Sequence, residues 1–171
     1  GGVPLGGELR LSDDPSIAAL RKGPHPAPHS PQSVAESLQD VTYFGVEDDG
    51  VTLPGLPHAS DAKHCRRCGR PYVYDAVFLG HLGRYPCPTG DSTRPAPDVA
   101  ALDVELRGVK SAAFTLRTPE GTRRVELPLP GLYNVYNALA AAALAIRLGA
   151  SLDDIVAGLQ AVSPAFGRAE T

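Results

Sequence analysis

Every cysteine of this 171-residue chain falls between residues 65 and 87, first as Cys65-Arg66-Arg67-Cys68-Gly69 and then as Cys87-Pro88. Two thiolates separated by two residues can grip one metal ion, and a glycine directly after them lets the backbone wrap tightly around the sulfurs. Cys87 follows Cys68 by 19 positions, inside the spacing of zinc ribbons, in which a hairpin-length spacer joins two metal knuckles. A ribbon ends on a second Cys-x-x-Cys pair, but this chain reads Cys87-Pro88-Thr89-Gly90-Asp91. Two readings follow: a Zn2+ site completed by a donor other than cysteine, or a decayed site that leaves three small buried thiols. Among nearby donors, His64 adjoins Cys65, and consecutive side chains seldom converge on one ion. His81 sits in the predicted hairpin. Asp91 lies in a Thr-Gly-Asp turn that can swing a carboxylate back. The expected ligand set is therefore Cys65, Cys68, Cys87 and Asp91, in a structural role, because no carboxylate or histidine pair beside them reads as a general base.

An odd number of cysteines in a Cys-x-x-Cys setting fits metal binding in a reducing compartment better than a disulfide framework. The opening residues lack the apolar core of a signal peptide, and the apolar run from Ala138 to Ile146 is far short of the ~20 residues a membrane span needs. The chain thus reads as cytoplasmic. It contains no methionine and stops without a polar tail, so it is expected to be a piece of a longer protein. With 43% hydrophobic residues it can build one cored domain plus a small insert.

A net charge of −3 argues against a nucleic-acid binder, since phosphate neutralisation supplies most of that affinity. The stretch from Lys63 to Arg94 runs the other way: Lys63, Arg66, Arg67, Arg70, Arg84 and Arg94 face only Asp75 and Asp91. This excess supports an alternative reading, a non-catalytic ribbon module binding protein or nucleic acid. The plainer account is solvated arginines on an exposed insert.

Along the chain, Glu8 to Leu11 predicts a short strand running into Ser12-Asp13-Asp14-Pro15, and "SIAALRKG" a short helix capped by Asp14 and ended by Gly23. The proline-rich "GPHPAPHSPQ" predicts a surface loop. "VTYFGV" at Val41–Val46 predicts a core strand. After the cysteines, "DVELRGVKSAAFTLRTPEGTRRVELPLPG" predicts an antiparallel pair around a Pro119-Glu120-Gly121 turn. In "YNVYNALAAAALAIRLG", Val135, Leu139, Ala142 and Ile146 form one apolar stripe with Gly149 as the stop. In "SLDDIVAGLQAV", Ser151 and Asp154 form a capping box, and Leu152, Ile155, Val156, Leu159 and Val162 form the buried face. The element order predicts an α/β domain over 1–60 and 96–171, with a ribbon-like β module inserted at 61–95.

Two asparagines, Asn134 and Asn137, share a helix face close to an N-terminus, where backbone N–H groups and short amides can meet a ligand. From spacing alone the plainer reading prevails, Asn134 as the N-cap and Asn137 as a solvated second-turn residue. Asp13 and Asp14 end a strand, where open α/β sheets place ligands, but on local grounds capping is again the preferred reading. Arg168 lies in a loop after Ser163-Pro164. His25, His29 and His58 lie in proline-rich loops without ligand-like spacing.

The segments "SDDP", "VTYFGVED", the Cys-x-x-Cys-Gly ribbon with "FLGHLGRYPCP", "LPGLYNVYNALAA" and "FGRAE" resemble, in this order, the central ATP-binding domain of the MurT-type ligases, relatives of the Mur ligases. The resemblance runs over nearly the whole chain. It implies an enzyme using ATP and Mg2+ to activate the D-glutamate α-carboxylate of lipid II as an acyl phosphate. Ammonia from a glutaminase partner, GatD, then displaces phosphate to give D-isoglutamine in peptidoglycan. It also implies that Asn137 faces adenine with Asn134 in support, that Arg168 lies near the nucleotide, and that Asp14 belongs to the cofactor-binding set. Ser12 stands where the family has asparagine. No phosphate loop of the Gly-x-x-Gly-Lys-Ser/Thr kind is present, so the β- and γ-phosphate cradle would lie upstream. Catalytic acids and the GatD contact would lie downstream. No catalytic residue is expected within these 171 residues.

Overall fold

The computed structural model describes residues 8–18, 41–56, 63–90 and 92–163. Its main sheet has five strands. Strands β1 (Glu8–Leu11) and β2 (Val41–Val46) are parallel, Glu8 opposite Val41 through Leu11 opposite Phe44. Strand β2 is parallel to β5 (Val99–Arg107), with Phe44 opposite Val99. From there the sheet turns antiparallel through β6 (Ser111–Thr118) and β7 (Gly121–Leu127). The β6–β7 hairpin turns at Pro119-Glu120-Gly121, as the sequence pattern predicts. That pattern does not separate β5 from β6, because β5 buries three consecutive residues, Val99 to Ala101, and its register shifts between Leu102 and Glu105, which breaks the alternation that marks a half-buried strand.

One face of the sheet carries both long helices. Helix α2 (Leu132–Arg147) buries Val135, Leu139, Ala142 and Ala143, and it packs over β1, β2 and β5. Its run of alanines keeps that face flat against the strands. It starts after Gly131, whose φ of 82° occupies the cap position; Asn134 is therefore a first-turn residue and not the cap. Helix α3 (Leu152–Gln160) packs on β7, with the Ser151 hydroxyl accepting from Asp154 N–H. Its buried face is Leu152, Ile155 and Leu159. Val162, expected in that face, lies beyond the helix end and is exposed, and Val156 is half-buried. Between sheet and helices sits a core that includes Val46, Val99, Phe114, Leu116, Val125 and Leu139.

Helix α1 (Pro15–Ala18) opens directly after the β1 loop. Asp14 caps it as predicted, its Oδ1 accepting from the N–H groups of Ser16 at 2.7 Å and Ile17 at 3.2 Å. The expected stop at Gly23 and the proline-rich loop lie outside the described residues. A separate two-stranded sheet, β3 (Ala76–Leu79) with β4 (Leu82–Arg84), forms between the cysteines. Among the described residues, no helix is long and apolar enough to cross a membrane.

Candidate functional site

The cysteine module is built from two knuckles that repeat one backbone pattern. In the first, Cys65 N–H donates to Arg70 C=O at 2.8 Å, and His64 bridges Pro71. In the second, Cys87 N–H donates to Ser92 C=O at 2.8 Å, and Pro86 bridges Thr93. Each cysteine thus bonds the residue five ahead, and its predecessor pairs with the residue seven beyond that predecessor. The knuckles differ at their tips. The left-handed residue is Gly69 in the first, directly after Cys68, but Gly90 in the second, which occupies the place of the missing cysteine.

The three sulfur atoms lie within 4.8 Å of one another, and Cys68 Sγ is 3.4 Å from Cys87 Sγ. All three cysteines are free thiols; Cys65 and Cys87 are buried. Hydrogen bonding to the Thr89 side chain, 3.1 Å away, draws the Cys87 thiol down to about 6. Three soft donors on two preformed knuckles, one poised as thiolate, fit Zn2+. Tyr72 and Tyr85 pack edge to face against each other, with ring centroids 5.0 Å apart, and close the apolar side of the cluster. Asp91, the expected fourth ligand, lies outside the described residues. His64 is exposed on the first knuckle. His81 sits at the β3–β4 turn, and its Nε2 is 3.1 Å from Asp14 Oδ2.

Above the C-terminal ends of β1 and β2 lies a buried polar cluster that only part of the sequence reading anticipated. Asp13 is its hub, fully buried. Its Oδ1 accepts from Arg94 Nε at 2.7 Å and Ser12 Oγ at 3.0 Å; its Oδ2 accepts from Tyr136 Oη at 2.6 Å and Val46 N–H at 2.8 Å. Burial pushes the Asp13 carboxyl above the ordinary aspartate range, against the pull of Arg94, Tyr136 and the Val46 amide. Arg94 also pairs with Glu47 and donates to Val46 C=O at 2.9 Å. Burial likewise drives the Tyr136 phenol strongly upward, so it stays a donor. A carboxylate with four donors facing a guanidinium with three acceptors satisfies both charges where an unmatched one would be costly.

The inserted module meets this edge at four points. Gly83 N–H donates to Asp13 C=O at 2.9 Å and Tyr85 Oη to Ser12 C=O at 3.0 Å, Arg94 holds the Asp13 carboxylate, and His81 meets that of Asp14. Arg84 pairs with Asp49. Two of the six bases counted in the insert, Arg84 and Arg94, are therefore turned onto acids of the loops that follow β1 and β2, and the exposed arginines of the insert are those of the first knuckle, Arg66, Arg67 and Arg70.

The predicted asparagines stand beside the cluster. Asn134 Nδ2 donates to Pro130 C=O at 2.7 Å, which fixes the entry into α2, and its Oδ1 lies 3.4 Å from Asn137 Nδ2. Asn137 is exposed and can turn its amide to a ligand. The Asp14 carboxylate is occupied by the α1 cap and His81. Arg168 lies outside the described residues. Sequence reasoning missed Arg94, Glu47 and Tyr136. Only Tyr136 left a signal, a hydroxyl-bearing ring next to the apolar stripe of α2 that needs a buried partner.

No family model matches the chain. Curated relatives do. It is 56% identical over 55 residues, 32% of its length, to the UDP-N-acetylmuramoyl-tripeptide–D-alanyl-D-alanine ligase of Escherichia coli (strain K12). It is 47% identical over 74 residues, 43% of its length, to the UDP-N-acetylmuramoyl-L-alanyl-D-glutamate–2,6-diaminopimelate ligase of Geobacillus thermodenitrificans (strain NG80-2). The chain spans 12% and 15% of those two proteins. Among solved structures, a pseudomurein peptide ligase type C from Methanothermus fervidus matches over 95% of this chain and 28% of its own, at 32% identity and a TM-score of 0.72. The relatives are thus ligases of the Mur type, and the fold is the mixed α/β architecture of a Mur-ligase central domain with a cysteine module beside it.

Proposed function

We propose that this chain is the adenine-side half of the nucleotide site in a longer, ATP-dependent, amide-forming ligase of the MurT type. The main sheet and its helices, within 1–60 and 96–171, would form part of its central domain, and 61–95 its ribbon. The observation that carries the ligase reading is the match to the Methanothermus fervidus ligase over 95% of the chain. The MurT assignment draws its support from the ribbon spacing and the Tyr-Asn-Val-Tyr-Asn stretch.

In this proposal the D-glutamate α-carboxylate of lipid II attacks the γ-phosphorus of ATP and releases ADP. Ammonia supplied by GatD then attacks the acyl phosphate and expels phosphate, leaving D-isoglutamine. Mg2+ would neutralise the phosphates, held largely by residues outside this chain. Within the chain, Asn137 would hydrogen-bond the adenine edge while Asn134 holds the helix entry through Pro130, and Arg168 would contribute to nucleotide binding. Zn2+ held by Cys65, Cys68, Cys87 and Asp91 would pin the two knuckles together.

Titrating the full-length protein with ATP tests the nucleotide half of the proposal. Asn137→Ala should weaken binding by roughly 1 to 3 kcal/mol, the cost of a lost hydrogen bond whose partner stays buried. An unchanged Kd would return Asn137 to a surface polar group of the helix.

A further inference from the structure

We propose that Arg94 is a positioning residue for the nucleotide site, tying the cysteine ribbon to the first turns of α2 through Asp13 and Tyr136. Three linked observations carry this. The second knuckle closes at Ser92 and Thr93, through the Cys87–Ser92 hydrogen bond and the Pro86–Thr93 bridge, so the knuckle's shape dictates where residue 94 emerges. From there the Arg94 guanidinium spans Asp13, Glu47 and Val46 C=O at once, with its side chain only 8% exposed. On the other oxygen of Asp13, Tyr136 donates at 2.6 Å, and Tyr136 lies between Asn134 and Asn137 on α2. A metal that pins the second knuckle thus fixes Arg94, Arg94 fixes Asp13, and Asp13 fixes the turn that presents Asn137. The helix-side part of this chain stands on geometry alone; the nucleotide part rests on the function proposed above.

Hydrogen exchange on the full-length protein reads the helix-side part without nucleotide. In the zinc-loaded wild type, removing the metal with a chelator should speed exchange in peptides covering 132–140 by about tenfold, the factor for one buried hydrogen bond. Zinc-loaded Arg94→Met should already exchange at the faster rate and gain nothing further on chelation. Arg94→Lys should not rescue it, because an ammonium cannot span three separate acceptors as a guanidinium does. Tyr136→Phe should reproduce the faster exchange while keeping its zinc, which covers the case in which Arg94 variants fail to fold. Exchange in 132–140 that ignores chelation, or that responds equally in wild type and Tyr136→Phe, overturns the proposal.

ATP affinity then separates the two layers. Tyr136→Phe and chelation should each raise the ATP Kd by a similar factor of about ten. If Asn137→Ala weakens ATP but Tyr136→Phe does not, the positioning role is wrong. If neither weakens ATP while the exchange coupling holds, the nucleotide reading is what falls.

Discussion

Gly45 lies directly against the buried Asp13 cluster. A Cβ there would run into Ser12 Oγ and the Asp13 carboxylate, both locked in the buried cluster. Neither can retreat, since Asp13 is also held by Arg94, Tyr136 and Val46 N–H, and the single Ser12 hydroxyl proton is shared between Asp13 Oδ1 and Phe44 C=O, each 3.0 Å away. Gly45→Ala should therefore cost about 1 to 3 kcal/mol as overpacking, read as a lower denaturant midpoint with an unchanged slope. A stability equal to wild type would mean that the Asp13–Arg94 pair is loosely held. At this scale the sequence is a poor guide. Asp14 announces its capping role by standing before Pro15, but Asp13 and Arg94 meet across 81 positions, and neither is flanked by any local signal of the other. Glu47 and Asp49 likewise carry no local sign of the charges they take up, those of Arg94 and Arg84.

Among the elements, the ribbon's two knuckles show how a backbone pattern can outlast a ligand. The second knuckle keeps its five-residue closure although Gly90, with φ of 75°, stands at the place of the fourth cysteine. A cysteine there would have to adopt the left-handed conformation that favours glycine, so the fourth donor is better sought elsewhere, and Asp91 is the residue we propose. The purified chain should carry about one zinc per molecule. Asp91→Ala should lower zinc retention, whereas His64→Ala and His81→Ala should not. Equal retention in Asp91→Ala and wild type would remove Asp91 from the ligand set. Elements with strong periodicity were legible: α2, α3 and the β6–β7 hairpin lie where the patterns put them. Strand β5 was not, because both of its faces are covered near Val99 and its bulge hides the alternation that remains. The knuckle turns follow from Gly69 and Gly90, while the pairing of the two knuckles depends on contacts between segments distant in sequence.

For the whole molecule, the insert is less an appendage than a brace. Its hairpin, its tyrosine layer and Arg94 converge on the loop after β1, so the edge where α/β sheets place their ligands is shaped by the ribbon as much as by the sheet. That convergence was invisible in the sequence, which places Ser12 and Asp13 far from Tyr85 and Gly83, although the phenol bond to Ser12 and the backbone bond to Asp13 define the edge. The resemblance in motif order, by contrast, reached the architecture correctly, since it draws on spacing across the whole chain. Two chemistries share this architecture, peptide-bond formation with an incoming amino acid and amide formation with ammonia, and we propose the second.

Nitrogen transfer by the full-length protein tests amide formation with ammonia most directly. With ATP, lipid II and 15N-amide glutamine in the presence of GatD, the account predicts ADP release that depends on the nitrogen source and a lipid II whose D-glutamate α-carboxylate has become a 15N-labelled amide. ADP release that instead requires an amino acid or dipeptide, with that residue joined to the substrate and no label incorporated, would contradict it.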